Sequence, residues 1–171
     1  MRKKNLVRAT AVPSDSEISK QLADAHLFDA FEVRIDDGQR SALAIYIDMM
    51  ARTPEWINCL MATRNRLAAL FGLKNLGSLD NVAPDKPPES YRAGDHVGIF
   101  SIQFLSEREV ILVESDKHLD AKVSLCKSGD QAAVIMTTAI SIHNLLGHGY
   151  MLFVWPLHKL MLPSLLGRAG S

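Results

Sequence analysis

The chain has 171 residues, of which 47% are hydrophobic, and its nineteen acidic and nineteen basic side chains give a formal net charge of zero. This length predicts one domain, and a neutral chain is not expected to bind nucleic acid through broad electrostatic attraction. Cys59 and Cys126 lack the paired spacing of a zinc site or redox centre, so we expect no metal, no cofactor and a reducing, cytoplasmic location.

Residues 1 to 20 mix charged side chains, serine and Pro13, and this composition predicts a flexible amino-terminal tail. No apolar segment follows the basic start, which argues against a secretory signal. We therefore expect a single folded domain over residues 21 to 171.

The first predicted strand runs from His26 to Ile35, because apolar and polar residues alternate there. Two helices are predicted next, one over Ser41 to Ala51 and one that begins at Thr53-Pro54-Glu55, with Thr53 as its N-cap. Gly72 is well placed to end the second helix. The predicted buried stripe of that helix consists of Trp56, Leu60, Leu67 and Phe71, with Met61 and Ala68 flanking it.

A proline-rich loop over Asp80 to Ala93 precedes four further segments with strand-like alternation. These segments are Val97 to Leu105, Glu109 to Glu114, Leu119 to Cys126 and Gln131 to His143. Their short connections predict antiparallel neighbours. In the first of them, Phe100, Ile102 and Phe104 are expected to share one face.

The nearly uncharged run from Leu145 to Leu166 is long enough to span a bilayer. Its glycines, prolines, histidines and Lys159 argue against a transmembrane span, although peripheral membrane contact stays possible. We expect instead a helix that the sheet buries, with a kink at Pro156 and a frayed or broken end near Pro163. Asn144 is the expected N-cap of this helix.

Together these elements predict an α+β fold of the helix-grip type. A curved antiparallel sheet of about five to seven strands would hold a long C-terminal helix, with two short helices after the first strand. Such an arrangement tends to leave an apolar cavity between sheet and helix.

Several ordered blocks of the sequence resemble a bacterial domain-of-unknown-function family, whose members stand alone or are fused to NAD(P)-binding epimerase-like domains. The blocks are Pro54-Glu55-Trp56, Leu60-Met61, Arg64-Asn65, Phe71-Gly72-Leu73-Lys74, Gly94 to Phe100, Glu114 to Asp120, His143 to Gly147 and Pro156-Leu157-His158. The resemblance covers about residues 22 to 166. It implies the helix-grip superfamily that includes START-type lipid carriers and polyketide cyclases. The chain has no glycine-rich dinucleotide fingerprint, so a nicotinamide role is not carried over.

Three residues are candidates for acid–base catalysis, because an imidazole beside a carboxylate titrates near neutral pH. They are His118, Asp120 and His143. The structural alternative is that the turn residues around His118 close a hairpin.

A second set of residues is expected to bind a ligand in the cavity. This set comprises Trp56, Arg64, Phe100, Phe104, Glu114, Met136, His143 and Tyr150. Arg64 interrupts an apolar stripe, so we expect it either to pair with Glu114 or Asp120 or to contact an anionic ligand. The methionines suit an adaptable cavity lining and an ordinary core equally well.

The function that these observations favour is binding of a hydrophobic small molecule or lipid. A first alternative is a cofactor-free cyclase or isomerase that uses a histidine base. A second alternative is an interaction module whose C-terminal helix packs on a protein partner or a bilayer.

Overall fold

A computed structural model describes residues 6 to 70 and 72 to 170. Within these residues the chain forms seven strands and three α-helices. The strands are β1 (Arg8–Ala9), β2 (Leu27–Arg34), β3 (His96–Val97), β4 (Phe100–Leu105), β5 (Glu109–Ser115), β6 (Leu119–Lys127) and β7 (Ala133–Ile142). The helices are α1 (Ala42–Ala51), α2 (Glu55–Leu70) and α3 (Leu145–Leu166).

The strands make one open sheet in the order β1-β2-β7-β6-β5-β4-β3, and all neighbours are antiparallel. On one face of this sheet, α1 packs against β5 and β6, and α3 packs against β2 and β7. The predicted α+β class is therefore confirmed, with two helices after the first long strand and a long C-terminal helix. The relationship to the helix-grip superfamily stays a prediction.

The stripe that α2 buries differs from the predicted one. Ile57, Met61 and Ala68 are buried, whereas Trp56 and Leu67 are 45% and 55% exposed. This helix has two neighbouring apolar stripes, one beginning at Trp56 and one at Ile57. Packing against the core buries the stripe that begins at Ile57. Phe71 lies outside the described residues, while Gly72 ends the helix with φ +67° as predicted.

The start of α2 also differs from the prediction. The Thr53 hydroxyl donates to the carbonyl of Met50 at 2.6 Å instead of capping α2. The backbone N–H groups of Ile57 and Asn58 donate to the carbonyl of Pro54, so α2 begins one residue later than expected.

A β-bulge in β4 overturns the predicted face of Phe104. Ile102 lies opposite Leu112, but Phe104 lies opposite Ile111 because the register shifts between them. An extra residue in one strand reverses the alternation beyond it. As a result Leu105, and not Phe104, packs against the core.

The described part of the amino-terminal segment packs on the outer face of the sheet, which differs from the flexible tail that its composition predicts. β1 pairs with β2, and Ile18 is fully buried. The Glu109 carboxylate accepts hydrogen bonds from the backbone of Glu17 at 2.6 Å and of Ile18 at 3.1 Å. A buried carboxylate requires such donors, and this segment supplies them.

α3 runs without a break through Pro156 and Pro163 and ends at Leu166, three residues beyond the position where a frayed or broken end was predicted. The kink at Pro156 stays a prediction. Asn144 is its N-cap as expected, with the side chain accepting from the Gly147 N–H at 3.0 Å. Only one side of α3 is buried, and several large side chains on the other side are exposed. The expectation that the sheet buries the whole helix is therefore wrong. Within the described residues, no helix has the length and apolar character that crossing a membrane requires.

Candidate functional site

A cavity of about 170 Å³ lies between the inner face of the sheet and α3. Its lining side chains come from α1, α2, α3, the loop after α2, and strands β4 to β7. Most of them are aliphatic, aromatic or methionine side chains. The polar exceptions are Arg64, Glu114, Asp116, Thr138 and His158. The cavity therefore offers an apolar body with a few polar contacts, the usual composition of a small-molecule site.

Methionine makes an unusually large contribution to this lining. Met50, Met61, Met136, Met151 and Met161 all contact the cavity, and Met49 does not. Methionine side chains are unbranched and polarisable, so they adapt to ligands of different shape. The lining suits a ligand whose shape is not tightly specified.

Arg64 links α2, α3 and the loop after α2 at one end of the cavity. Its Nε donates to the Tyr150 hydroxyl at 2.5 Å, and its Nη1 donates to the Lys74 carbonyl at 2.8 Å. The guanidinium carbon also lies 5.1 Å from the centre of the Tyr150 ring. These contacts hold the two helices together beside the cavity.

Glu114 is joined to the same end of the cavity through Lys74, whose Nζ lies 2.5 Å from Glu114 Oε1. The predicted ion pair of Arg64 with Glu114 or Asp120 is therefore wrong. Glu114 pairs with Lys74, and Asp120 pairs with His143. Within the described residues, Arg64 forms no ion pair with a carboxylate.

Five of the eight residues expected to bind a ligand line this one cavity. They are Arg64, Phe100, Glu114, Met136 and Tyr150. The other three lie elsewhere. Trp56 is on the exposed side of α2, Phe104 is beyond the bulge, and His143 lies at the edge of the outer face.

The structure adds a polar cluster that sequence reasoning missed, composed of Asp29, Thr138 and His158. Asp29 on β2 lies directly opposite Thr138 on β7. His158 Nε2 lies 3.3 Å from Asp29 Oδ1, and both Thr138 and His158 line the cavity. The sequence contains a signal for part of this cluster. Strict alternation places Asp29 on the same face of its strand as Phe31, and Thr138 on the same face as Met136.

The imidazole of His158 is held on two sides. Its ring stacks on Trp155 with centroids 5.0 Å apart and planes 14° from parallel. Asp29 fixes the other side through the contact with Nε2. A carboxylate that orients an imidazole beside a cavity can both position a polar ligand group and hold a proton.

The three predicted catalytic residues lie away from this cavity. Asp120 and His143 line an open polar groove on the outer face, with Nε2 of His143 3.2 Å from Oδ2 of Asp120. Burial raises the pKa of Asp120, but hydrogen bonds from Ser115 and His143 outweigh it and hold that pKa below its ordinary value. Nδ1 of His118 lies 3.0 Å from Nδ2 of Asn144, so His118 belongs to the cap of α3.

Residues 21–165 match the sequence model of a family described as "Protein of unknown function (DUF2867)". No curated protein and no solved structure matches the chain.

Proposed function

The chain belongs to the DUF2867 family of proteins of unknown function, and we propose that it binds a compact hydrophobic molecule in the cavity between the sheet and α3. The observation that carries this proposal is the apolar, methionine-rich lining of that cavity. Arg64, Tyr150 and Glu114 at one end supply polar contacts that would orient the ligand.

The size of the cavity favours a small molecule over a complete lipid. Its volume is about 170 Å³, close to the roughly 150 Å³ of an engineered apolar cavity that binds benzene. Pockets for drug-sized ligands are larger, about 300 to 1,000 Å³. A molecule with one ring or a short branched chain fits without rearrangement, and a longer ligand requires the methionines to move.

The expected affinity for a toluene-sized molecule follows from its apolar surface. Burial contributes about 0.8 kcal/mol per carbon, or roughly 5 to 6 kcal/mol in total. This free energy corresponds to a Kd of about 0.1 mM. The binding assay therefore needs millimolar ligand.

The test combines a thermal-shift panel with native mass spectrometry of the purified protein. The panel contains toluene, indole, short and long fatty acids, a sterol and an aromatic polyketide. We expect the one-ring compounds to raise the Tm of the wild-type protein. Ala121→Phe places a ring in the cavity and should abolish the shift, whereas Ala62→Phe on the exposed side of α2 should not. No shift from any compound, together with no retained ligand, contradicts the proposal.

A second candidate function rests on the exposed side of α3. Leu145, Leu152, Phe153 and Leu160 are between 67% and 87% exposed, and contiguous apolar surface of this kind marks interaction sites. We propose that this face packs against a second copy of the chain. The net charge of zero gives no repulsion between copies. Lys159 is the only lysine or arginine in α3, which disfavours attraction to anionic lipid.

Light scattering over a range of protein concentrations tests the second candidate. We expect a dimer for the wild-type protein and a monomer for Phe153→Glu, with Thr63→Glu on exposed α2 surface as the control. A wild-type protein that stays monomeric contradicts this candidate. Flotation with phosphatidylcholine and phosphatidylserine liposomes would then show whether a bilayer covers the face instead.

A further inference from the structure

We propose that Asp29 and Thr138 form a polar subsite, with His158 as its positioning residue, that recognises a neutral hydroxyl group on the bound molecule. The ligand class is therefore a compact phenol or alcohol rather than a carboxylic acid or a pure hydrocarbon. This inference rests on the proposed function, since it names the polar end of a molecule whose apolar body fills the cavity.

All three side chains sit at positions that face the interior. Phe31 pairs with Met136 across β2 and β7, and both pack against the core. Asp29 and Thr138 are the next pair on the same face, two residues along each strand. On α3, His158 lies on the same side as buried Met151 and Leu162. Three polar residues thus occupy neighbouring positions on faces of β2, β7 and α3 that are otherwise apolar.

Two atoms of this cluster are buried and lack a hydrogen-bond partner among the described residues. They are Oδ2 of Asp29 and Oγ1 of Thr138. Thr138 as a whole is 3% exposed and still contributes to the cavity lining. Asp29 itself is not a lining residue, but it lies opposite Thr138 on the neighbouring strand and contacts His158, which both line the cavity. Buried polar atoms are nearly always paired, so these two unpaired oxygen atoms point to a ligand group at this part of the cavity wall.

The hydrogen-bonding capacity of these two oxygen atoms indicates which polar group of a ligand can bind them. An ionised carboxylate only accepts hydrogen bonds, whereas the threonine hydroxyl both donates and accepts. A ligand hydroxyl satisfies both atoms, because it can donate to Asp29 and accept from Thr138. A ligand carboxylate is repelled by Asp29, and a hydrocarbon pairs with neither atom.

His158 acts on the ligand through Asp29. Its Nε2 engages Oδ1 of Asp29, and the stacked Trp155 ring keeps the imidazole in place. With Oδ1 engaged by His158, Oδ2 is the oxygen left to receive the ligand. His158 therefore positions the carboxylate.

The experiment compares toluene, p-cresol and p-toluate by isothermal titration with the wild-type protein, Thr138→Val and Thr137→Val. Valine matches threonine in shape and removes only the hydroxyl, and Thr137 is an equally buried residue on the opposite face of the same strand. We expect wild type and Thr137→Val to bind p-cresol about tenfold more tightly than toluene and not to bind p-toluate. In Thr138→Val this preference for p-cresol should fall severalfold, because the ligand hydroxyl then keeps only its hydrogen bond to Asp29.

The outcomes separate this inference from the proposed function. If wild type binds toluene as tightly as p-cresol, or binds p-toluate best, the subsite is overturned while the hydrophobic-binding function stands. If no probe binds wild type, both are overturned.

A second readout needs no ligand. Thr138→Val should raise the Tm relative to Thr137→Val, because it removes a buried unpaired hydroxyl. A lower Tm would count against the subsite.

Discussion

His158 Nε2 lies 3.3 Å from Oδ1 of Asp29, although 129 residues separate the two in sequence. Asp29 belongs to the first long strand and His158 to the C-terminal helix, so the contact ties α3 to β2. The two side chains are only 13% and 14% exposed. This polar contact lies at one part of the cavity, and the Arg64–Tyr150 contact lies two helical turns away along α3.

The Arg64–Tyr150 contact should contribute measurably to stability. Tyr150→Phe removes the acceptor of a hydrogen bond from a charged donor, which costs about 1 to 3 kcal/mol. A double-mutant cycle with Arg64→Met, measured by urea unfolding, should give a coupling energy of about 1 kcal/mol. Additive effects of the two substitutions would mean that the bond contributes nothing to the folded state.

Two glycines of α3 should respond in opposite directions to substitution by alanine. A Cβ at Gly147 would lie 2.5 Å from the backbone oxygen of His118, whereas one at Gly149 meets nothing within 4 Å. We expect Gly147→Ala to lower the free energy of unfolding by about 1 to 3 kcal/mol through overpacking. Gly149→Ala should raise it by up to about 1 kcal/mol through helix propensity. Chemical denaturation measures both, and equal effects would contradict the close approach of α3 to the turn at His118.

Glu109 should hold the amino-terminal segment on the sheet. Its carboxylate accepts from two backbone N–H groups and, at 2.7 Å, from the Ser124 hydroxyl. Glu109→Gln turns one acceptor into a donor and should cost about 1 to 3 kcal/mol. Limited proteolysis should then cut near residues 13 to 25 faster than in wild type or in the exposed control Glu107→Gln. An unchanged cleavage rate would show that this anchor is dispensable.

The Asp120–His143 pair should make stability depend on pH in acid. The pKa of Asp120 lies below its ordinary value of 3.8 in the folded protein, so its contribution is present above that value. It is lost as the pH falls through the lower folded pKa. The stability difference between wild type and Asp120→Asn should therefore be constant near neutral pH and shrink as the pH falls below about 4. His143→Gln should reduce this dependence, and a difference that is constant with pH would argue against the pairing.

The elements that local pattern controls were predictable from the sequence. Alternation along β2 and β5 to β7, the Asn144 cap and the apolar run of α3 all depend on residues close together in the chain. Predictions failed where distant contacts decide, and two of them illustrate this. The bulge after Ile102 depends on how β5 accommodates an extra residue, and α2 has two adjacent apolar stripes, led by Trp56 and Ile57, that only packing distinguishes.

Only part of the candidate site could be predicted from the sequence, for a similar reason. Arg64 stood out because it interrupts an apolar stripe. Asp29, Thr138 and His158 also interrupt apolar faces, but each does so once in its own element, and only the β2–β7 pairing and the position of α3 bring them together. The contact of residues 13 to 25 with the sheet depends on the carboxylate of Glu109, about ninety residues away in the chain. The composition of the segment does not indicate this contact.

Methyl NMR of protein labelled at methionine, titrated with toluene, tests the central claim most directly. Five methionine methyl groups line the cavity, and the buried Met49 does not, so it serves as an internal reference. The account predicts saturable shifts at Met50, Met61, Met136, Met151 and Met161, with Met49 unmoved and with all shifts lost in Ala121→Phe. Signals that do not move, or that move without saturating in both proteins, would contradict a ligand cavity between the sheet and α3.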